Sequence, residues 1–230
     1  MPLIIERETK KKVHALLLLD ASGSMEGVRE EAIRNYNEQA GVILEEARKN
    51  DVDCDLSLVT FNQNPTMRQW RGDAESLVTL TDETYRPGGA TALYDALGIF
   101  CTRLEGECSA EDAFLVTVIT DGYENSSREY DATAIKTLVD RLQKANWTIA
   151  LMGAKVELGA VCQDLGVLCS NARAFQPTAA GMRSMQVANN VVMSNYMAGV
   201  SSGSMASNSL YATPDSDHEK RWEEEKKKEK

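Results

Sequence analysis

Histidine is nearly missing from this chain: 230 residues hold two, His14 and His218, one near each end. A hydrolytic triad built on an imidazole base therefore lacks its parts. The Gly-x-Ser-x-Gly elbow, the Walker loop and the dinucleotide-binding glycine pattern are absent too, so the usual signposts of hydrolases, NTPases and NAD enzymes are not there. Positive charge is short as well. The formal net charge is −10, and with no basic excess to neutralise phosphates, the composition argues against nucleic acid or an anionic membrane as a partner. The five cysteines, Cys54, Cys101, Cys108, Cys162 and Cys169, are odd in number and show no Cys-x-x-Cys spacing. That argues against a disulfide framework and against a zinc ribbon. Thiols flanked by apolar or small residues pack as small hydrophobes, and the expected compartment is reducing, hence cytoplasmic. The first ten residues carry their charges after a short apolar run, unlike a signal peptide. The run from Val13 to Leu19 is too short to cross a bilayer.

What remains is the composition of a soluble globular protein, with 43% hydrophobic and 26% charged residues. The chain divides into an N-terminal extension (1–10), one domain (11–198), and a Ser/Gly-rich linker with a charged tail (199–230). Within the domain, Val13 to Leu19 reads as a fully buried strand of the parallel-sheet kind. It ends abruptly in Asp20, followed by Ser22 and Ser24 at alternate positions. Ligands of such sheets sit beyond the carboxyl ends of the strands, so these three side chains project where binding happens. An acid and two hydroxyls on a tight turn are hard oxygen donors, better suited to Mg²⁺ than to a softer metal.

Spacings of three and four predict a helix over Glu26 to Lys49. Alternation over Val52 to Phe61 predicts a strand, with Val52, Cys54, Leu56 and Leu58 inward and Val59 a further candidate for the same face. A turn at 62–65 leads to a short antiparallel edge strand at 66–71, where Trp70 is open between core and surface. Residues 72–90 form a polar connection ending in Arg86-Pro87-Gly88-Gly89-Ala90, and Thr91 stands at the start of a helix over Ala92 to Arg103, a place where hydroxyls cap. Buried strands follow at 114–120, 147–152 and 167–175. Helices follow at 131–145, 158–165 and 178–197, the last with a stripe of Met182, Met185, Met193, Met197 and Tyr196 that reads as core packing in preference to a binding groove. Apolar strands alternating with helices specify an α/β fold: a doubly wound, mostly parallel sheet with helices on both faces.

Three segments together resemble the metal-ion-dependent adhesion site (MIDAS) of von Willebrand factor type A (VWA) domains. They are Asp20-x-Ser22-x-Ser24, the loop Pro87-Gly88-Gly89-Ala90-Thr91, and the strand from Phe114 that ends in Asp121-Gly122. The resemblance covers roughly residues 11–198. It implies a six-stranded sheet of order 3-2-1-4-5-6 with strand 3 antiparallel. It further implies a cation, Mg²⁺ or alternatively Mn²⁺, held by Asp20, Ser22, Ser24, Thr91 and Asp121. The hydroxyls would coordinate it, and the two acids would act directly or through water. One open position would accept an Asp or Glu carboxylate of a partner protein, so the expected role is metal-dependent protein binding and not catalysis. The expected absence of a leader and the single compact domain resemble the cytosolic bacterial or phage branch of the family. Asp95, one turn beyond Thr91, is open between a bond near the site and a helix-surface role. Tyr123, Glu124 and Asn125 lie on the same rim.

Two rival readings stand beside this one. An Asp at the end of a first strand also marks Mg²⁺-dependent phosphohydrolases, though these want a second acid two residues on, where this chain has Ser22. A structural subunit could instead associate through its sheet edge or tail. The tail mixes seven acids with six bases over 215–230 and reads as a solvated polyampholyte, or as a short partner-binding helix anchored by Trp222. The oligomeric state is not legible.

Overall fold

A computed structural model describes residues 12–154, 158–175, 179–204 and 210–211. The N-terminal extension and the charged tail, with His218 and Trp222, lie outside the described residues. The sheet has six strands in the order β3-β2-β1-β4-β5-β6: β1 (Lys12–Asp20), β2 (Asp53–Phe61), β3 (Pro65–Gly72), β4 (Ala113–Thr120), β5 (Thr148–Ala154) and β6 (Ala172–Phe175). All neighbours run parallel except β2 and β3.

β1 is central because it is apolar on both faces. Val13, Ala15, Leu17 and Leu19 join one core with helices α1 (Arg29–Lys49) and α5 (Ala179–Ser201). Leu16 and Leu18 join the other, with α2 (Leu93–Glu107), α3 (Ala132–Lys144) and α4 (Leu158–Leu165). The alternation in β2 divides the same way: Leu56 and Leu58 face α1, Val59 and Phe61 face α2. Asp131 caps α3 by accepting from the Ala134 amide, as a helix beginning at 131 requires.

Several boundaries differ from the sequence reading for local reasons. Residues Gly23–Val28 form a 3-10 turn around buried Met25 before the α-helix begins at Arg29. The last strand is four residues long, because Cys169–Asn171 form another 3-10 turn. Asn171 there accepts the Leu210 amide at 2.6 Å. Helix α2 continues past Arg103 because Leu104 is buried. The connection 73–92 is polar overall, yet it plants Leu80 and Tyr85 in the α1 core. Met193, Tyr196 and Met197 are core residues, and Leu210 packs beside them. Trp70 lies half-buried between β3 and α2: the Arg103 guanidinium stacks 4.2 Å from its ring, and Nε1 donates to Glu107 at 2.7 Å.

Candidate metal centre

The carboxyl ends of β1 and β4 sit side by side, since Leu19 pairs with Ile119. This register places Asp20 beside Thr120 and brings Asp121 to the same rim. Asp20 is fully buried, and both of its oxygens are held: Oδ1 accepts the Ser22 amide at 2.7 Å and Oδ2 the Thr120 hydroxyl at 2.6 Å. Ser22 Oγ lies 3.1 Å from Ser24 Oγ, and Ser24 Oγ donates to Asp121 Oδ1 at 2.8 Å.

Thr91 arrives from a separate loop stitched onto this turn by backbone. Gly88 N donates to the Ala21 carbonyl at 2.8 Å, and Gly23 N to the Gly89 carbonyl at 3.0 Å. Gly89 has φ +84°, a left-handed conformation that glycine adopts without strain. Tyr85, buried behind the loop, donates its hydroxyl to the Asp20 carbonyl, and Arg29 donates Nε to the Tyr85 carbonyl at 3.1 Å.

The meeting point is best defined at Gly122. A Cβ at that residue would stand 3.3 Å from Ser24 Oγ, 3.6 Å from Asp20 Oδ2 and 3.6 Å from Thr91 Oγ1. Oxygens from two loops, the turn after β1 and the loop carrying Thr91, therefore stand around the place that a side chain at residue 122, on a third loop, would occupy. The five residues expected from sequence are brought together, with Asp20, Ser22 and Thr91 as a buried floor and exposed Ser24 and half-buried Asp121 on the open side.

The helix-capping role open to Thr91 is not observed. Ala92 is the N-cap of α2 and makes no side-chain cap bond, and Ser22 makes none to its 3-10 turn either. The start of α2 is instead capped from across the site: Glu124 Oε2 accepts the Tyr94 amide at 2.9 Å, and Ser127 Oγ accepts the Asp95 amide at 3.0 Å. Asp95 is not a helix-surface residue but bonds beside the site. It is buried and accepts three backbone amides, from Arg128, Glu129 and Tyr130, which anchors the loop after β4.

Burial pushes the Asp20 carboxyl above its ordinary pKa and the nearby Asp121 charge adds to the push, while the Thr120 hydroxyl and Ser22 pull it back. A buried carboxylate with a second one near it at the rim carries a cost that a cation would relieve. The donors are all oxygen, which fits a hard divalent ion. Among the described residues no group of three or more His, Cys, Asp or Glu side chains is arranged to hold a metal ion, so an ion held here would depend on the hydroxyls. From sequence, Gly122 stands only as the end of the third motif and Asn125 only as a rim residue, and Thr120 is not singled out for the site. Thr120 and Asn125 carry no local signal for these roles, which follow from the β1–β4 register and from the meeting of two loops.

No family model matches the sequence, and no curated protein matches it. Solved structures do match the fold. Proximal thread matrix protein 1 from the mussel byssus, with a zinc-occupied MIDAS motif, aligns with a TM-score of 0.53 at 16% identity, over 80% of this chain and 46% of that one. The PilB minor pilin from Streptococcus sanguinis gives 0.54 at 9% identity, over 82% and 63%. The SpRpn10 VWA domain gives 0.53 at 15% identity, over 78% and 95%. The chain thus spans about half to two thirds of the mussel and pilin chains and nearly all of the isolated VWA domain. At these identities the likeness establishes the fold, a six-stranded mixed sheet of the VWA type.

Proposed function

We propose that this domain is a divalent-cation-dependent protein-binding module. Asp20, Ser22, Ser24, Thr91 and Asp121 would hold Mg²⁺, or Mn²⁺ in its place, and the partner would present an Asp or Glu carboxylate. The observation that carries the reading is the convergence of Ser24, Asp20 and Thr91 oxygens on the space left by Gly122. A hard divalent ion held there would supply a Lewis-acidic point for a partner's carboxylate. The residues do the rest. The buried floor excludes water from Asp20, the Thr120 and Ser22 bonds fix its oxygens, and Ser24 and Asp121 leave the outer side accessible. The zinc carried by the mussel protein at its MIDAS motif supports a divalent ion at this place in the fold. A reducing compartment is part of the proposal, consistent with free thiols at Cys54, Cys101 and Cys108.

The phosphohydrolase reading fits less well. Enzymes of that kind want a second acid two residues after the aspartyl nucleophile, and here that position is Ser22, which lies against Ser24. Affinity capture tests the proposal, run with Mg²⁺, with EDTA, and with an Asp20→Ala variant. Capture of one partner by wild type with Mg²⁺ alone is expected. Equal capture in all three arms would move the interaction away from this site, to the sheet edge or the tail.

A further inference from the structure

Thr91 reaches the cup on a loop containing Gly88 and Gly89, and such a loop does not by itself fix the direction of a side chain. The loop after β4 does. The Thr91 amide donates to Asn125 Oδ1 at 2.8 Å, and the Thr91 carbonyl accepts the amides of Asn125 at 3.0 Å and Ser126 at 3.1 Å. Both backbone groups of Thr91 are therefore clamped by one short segment. Two of the three bonds are backbone to backbone and survive any substitution at 125. The third depends on the asparagine side chain.

Glu124 precedes Asn125 and carries the charge that would suit a site residue, but it is committed elsewhere. Its Oε1 accepts the Ser126 and Ser127 amides, and its Oε2 accepts the Ser127 hydroxyl and the Tyr94 amide. Glu124 shapes the segment; Asn125 is what touches Thr91. Asn125 is itself exposed, so the side chain adds little burial to the core, and holding it in one rotamer costs entropy for which a surface amide gains little in return. The bond makes sense as a device for placing Thr91.

We propose that Asn125 is a positioning residue of the metal centre: its Oδ1 fixes the Thr91 amide and so sets the direction in which the Thr91 hydroxyl enters the cup. The inference rests on the reading of the cup as a cation site.

The probe is Mn²⁺, titrated calorimetrically into the full chain as wild type, Asp20→Ala, Asn125→Ala and Asn125→Asp. A Tyr123→Asp/Asn125→Ala double variant controls for charge on the same loop. Asn125→Ala is expected to bind Mn²⁺ about 10–100-fold more weakly, the usual loss when a group that orients a ligand is removed, with its melting temperature unchanged. In metal-free protein the Thr91 amide should exchange its hydrogen faster in Asn125→Ala than in wild type, a direct reading of the clamp. Asn125→Asp keeps an acceptor oxygen and should restore both properties. Restoration of affinity by the charge control would overturn the inference, because charge and not position would be responsible. Wild-type affinity in Asn125→Ala, with affinity lost in Asp20→Ala, would overturn it while leaving the cation site standing. Equal binding by wild type and Asp20→Ala, or none by either, would remove the site and this inference together.

Discussion

Asp20 meets the Thr120 hydroxyl in a place that water does not reach, since both residues are almost wholly buried. Thr120→Val removes that hydroxyl without changing the shape and leaves Asp20 Oδ2 without its donor. The expected cost is about 1–3 kcal/mol, the range for a buried polar group that loses its partner, read by urea denaturation in the absence of metal. Gly122→Ala acts in the opposite sense. Its backbone φ suits any residue, and the nearest atom to the new methyl is the end of the Ser24 side chain at 3.3 Å. Stability should change by less than about 1 kcal/mol, while a carbon now fills the space between the three oxygens. Mn²⁺ affinity is expected to fall to background in calorimetry; a Gly122→Ala protein that binds as wild type would place the ion elsewhere. At this scale the sequence displays what is local. Asp20, Ser22 and Ser24 stand on one turn and can be read together, but Thr91 and Asp121 join them only through the family resemblance. Thr120, Gly122 and Asn125 owe their roles to the β1–β4 register and to the meeting of two loops, which no spacing along the chain encodes.

Elements were legible wherever an apolar run or a helical period was long enough to leave one solution. β1 and β4 are such runs, β2 shows a clear alternation, and α3 carries its own cap in Asp131. The 3-10 turn at Gly23–Val28 was not, because six residues do not separate a period of 3.0 from one of 3.6. The segment Cys169–Asn171 was read as strand for the same want of length. The loop after β4 shows the other limit: its residues look like an ordinary polar rim, yet three of its amides, those of Arg128, Glu129 and Tyr130, depend on one buried carboxylate in α2. Asp95→Ala should orphan all three and cost about 2–4 kcal/mol. Because the same loop carries Asn125, the variant should also weaken Mn²⁺ binding. Full stability together with loss of binding would contradict this account, since the anchor cannot fail for the site and hold for the fold.

Across the whole molecule the two ends of β1 behave differently. At the amino end His14 is buried between Asp55, 2.9 Å from Nδ1, and Asp112, 3.1 Å from Nε2, with Arg71 and Lys12 completing the cluster around Asp55. Burial alone would raise the Asp55 pKa, but the hydrogen bonds and charges of His14 and Arg71 outweigh it and hold the carboxyl below its ordinary range. A carboxylate lowered by folding contributes stability above its unfolded pKa of about 4, and that contribution disappears as pH falls through the folded value. His14→Leu should cost about 2–4 kcal/mol at neutral pH and flatten the acid limb of the stability profile. At the carboxyl end stability should answer to metal instead. An ion that binds only the folded chain adds about 2.7 kcal/mol at a hundredfold excess over its Kd, which for a domain of this size is a rise of about 5–10 °C in Tm. Wild type is therefore expected to melt higher in Mg²⁺ than in EDTA, His14→Leu to keep that increment from a lower starting point, and Asp20→Ala to lose it. The two ends lie on one strand but share no titrating group or ligand, so their effects should add. A His14→Leu protein that folds but gains nothing from Mg²⁺ would show instead that the strand couples them.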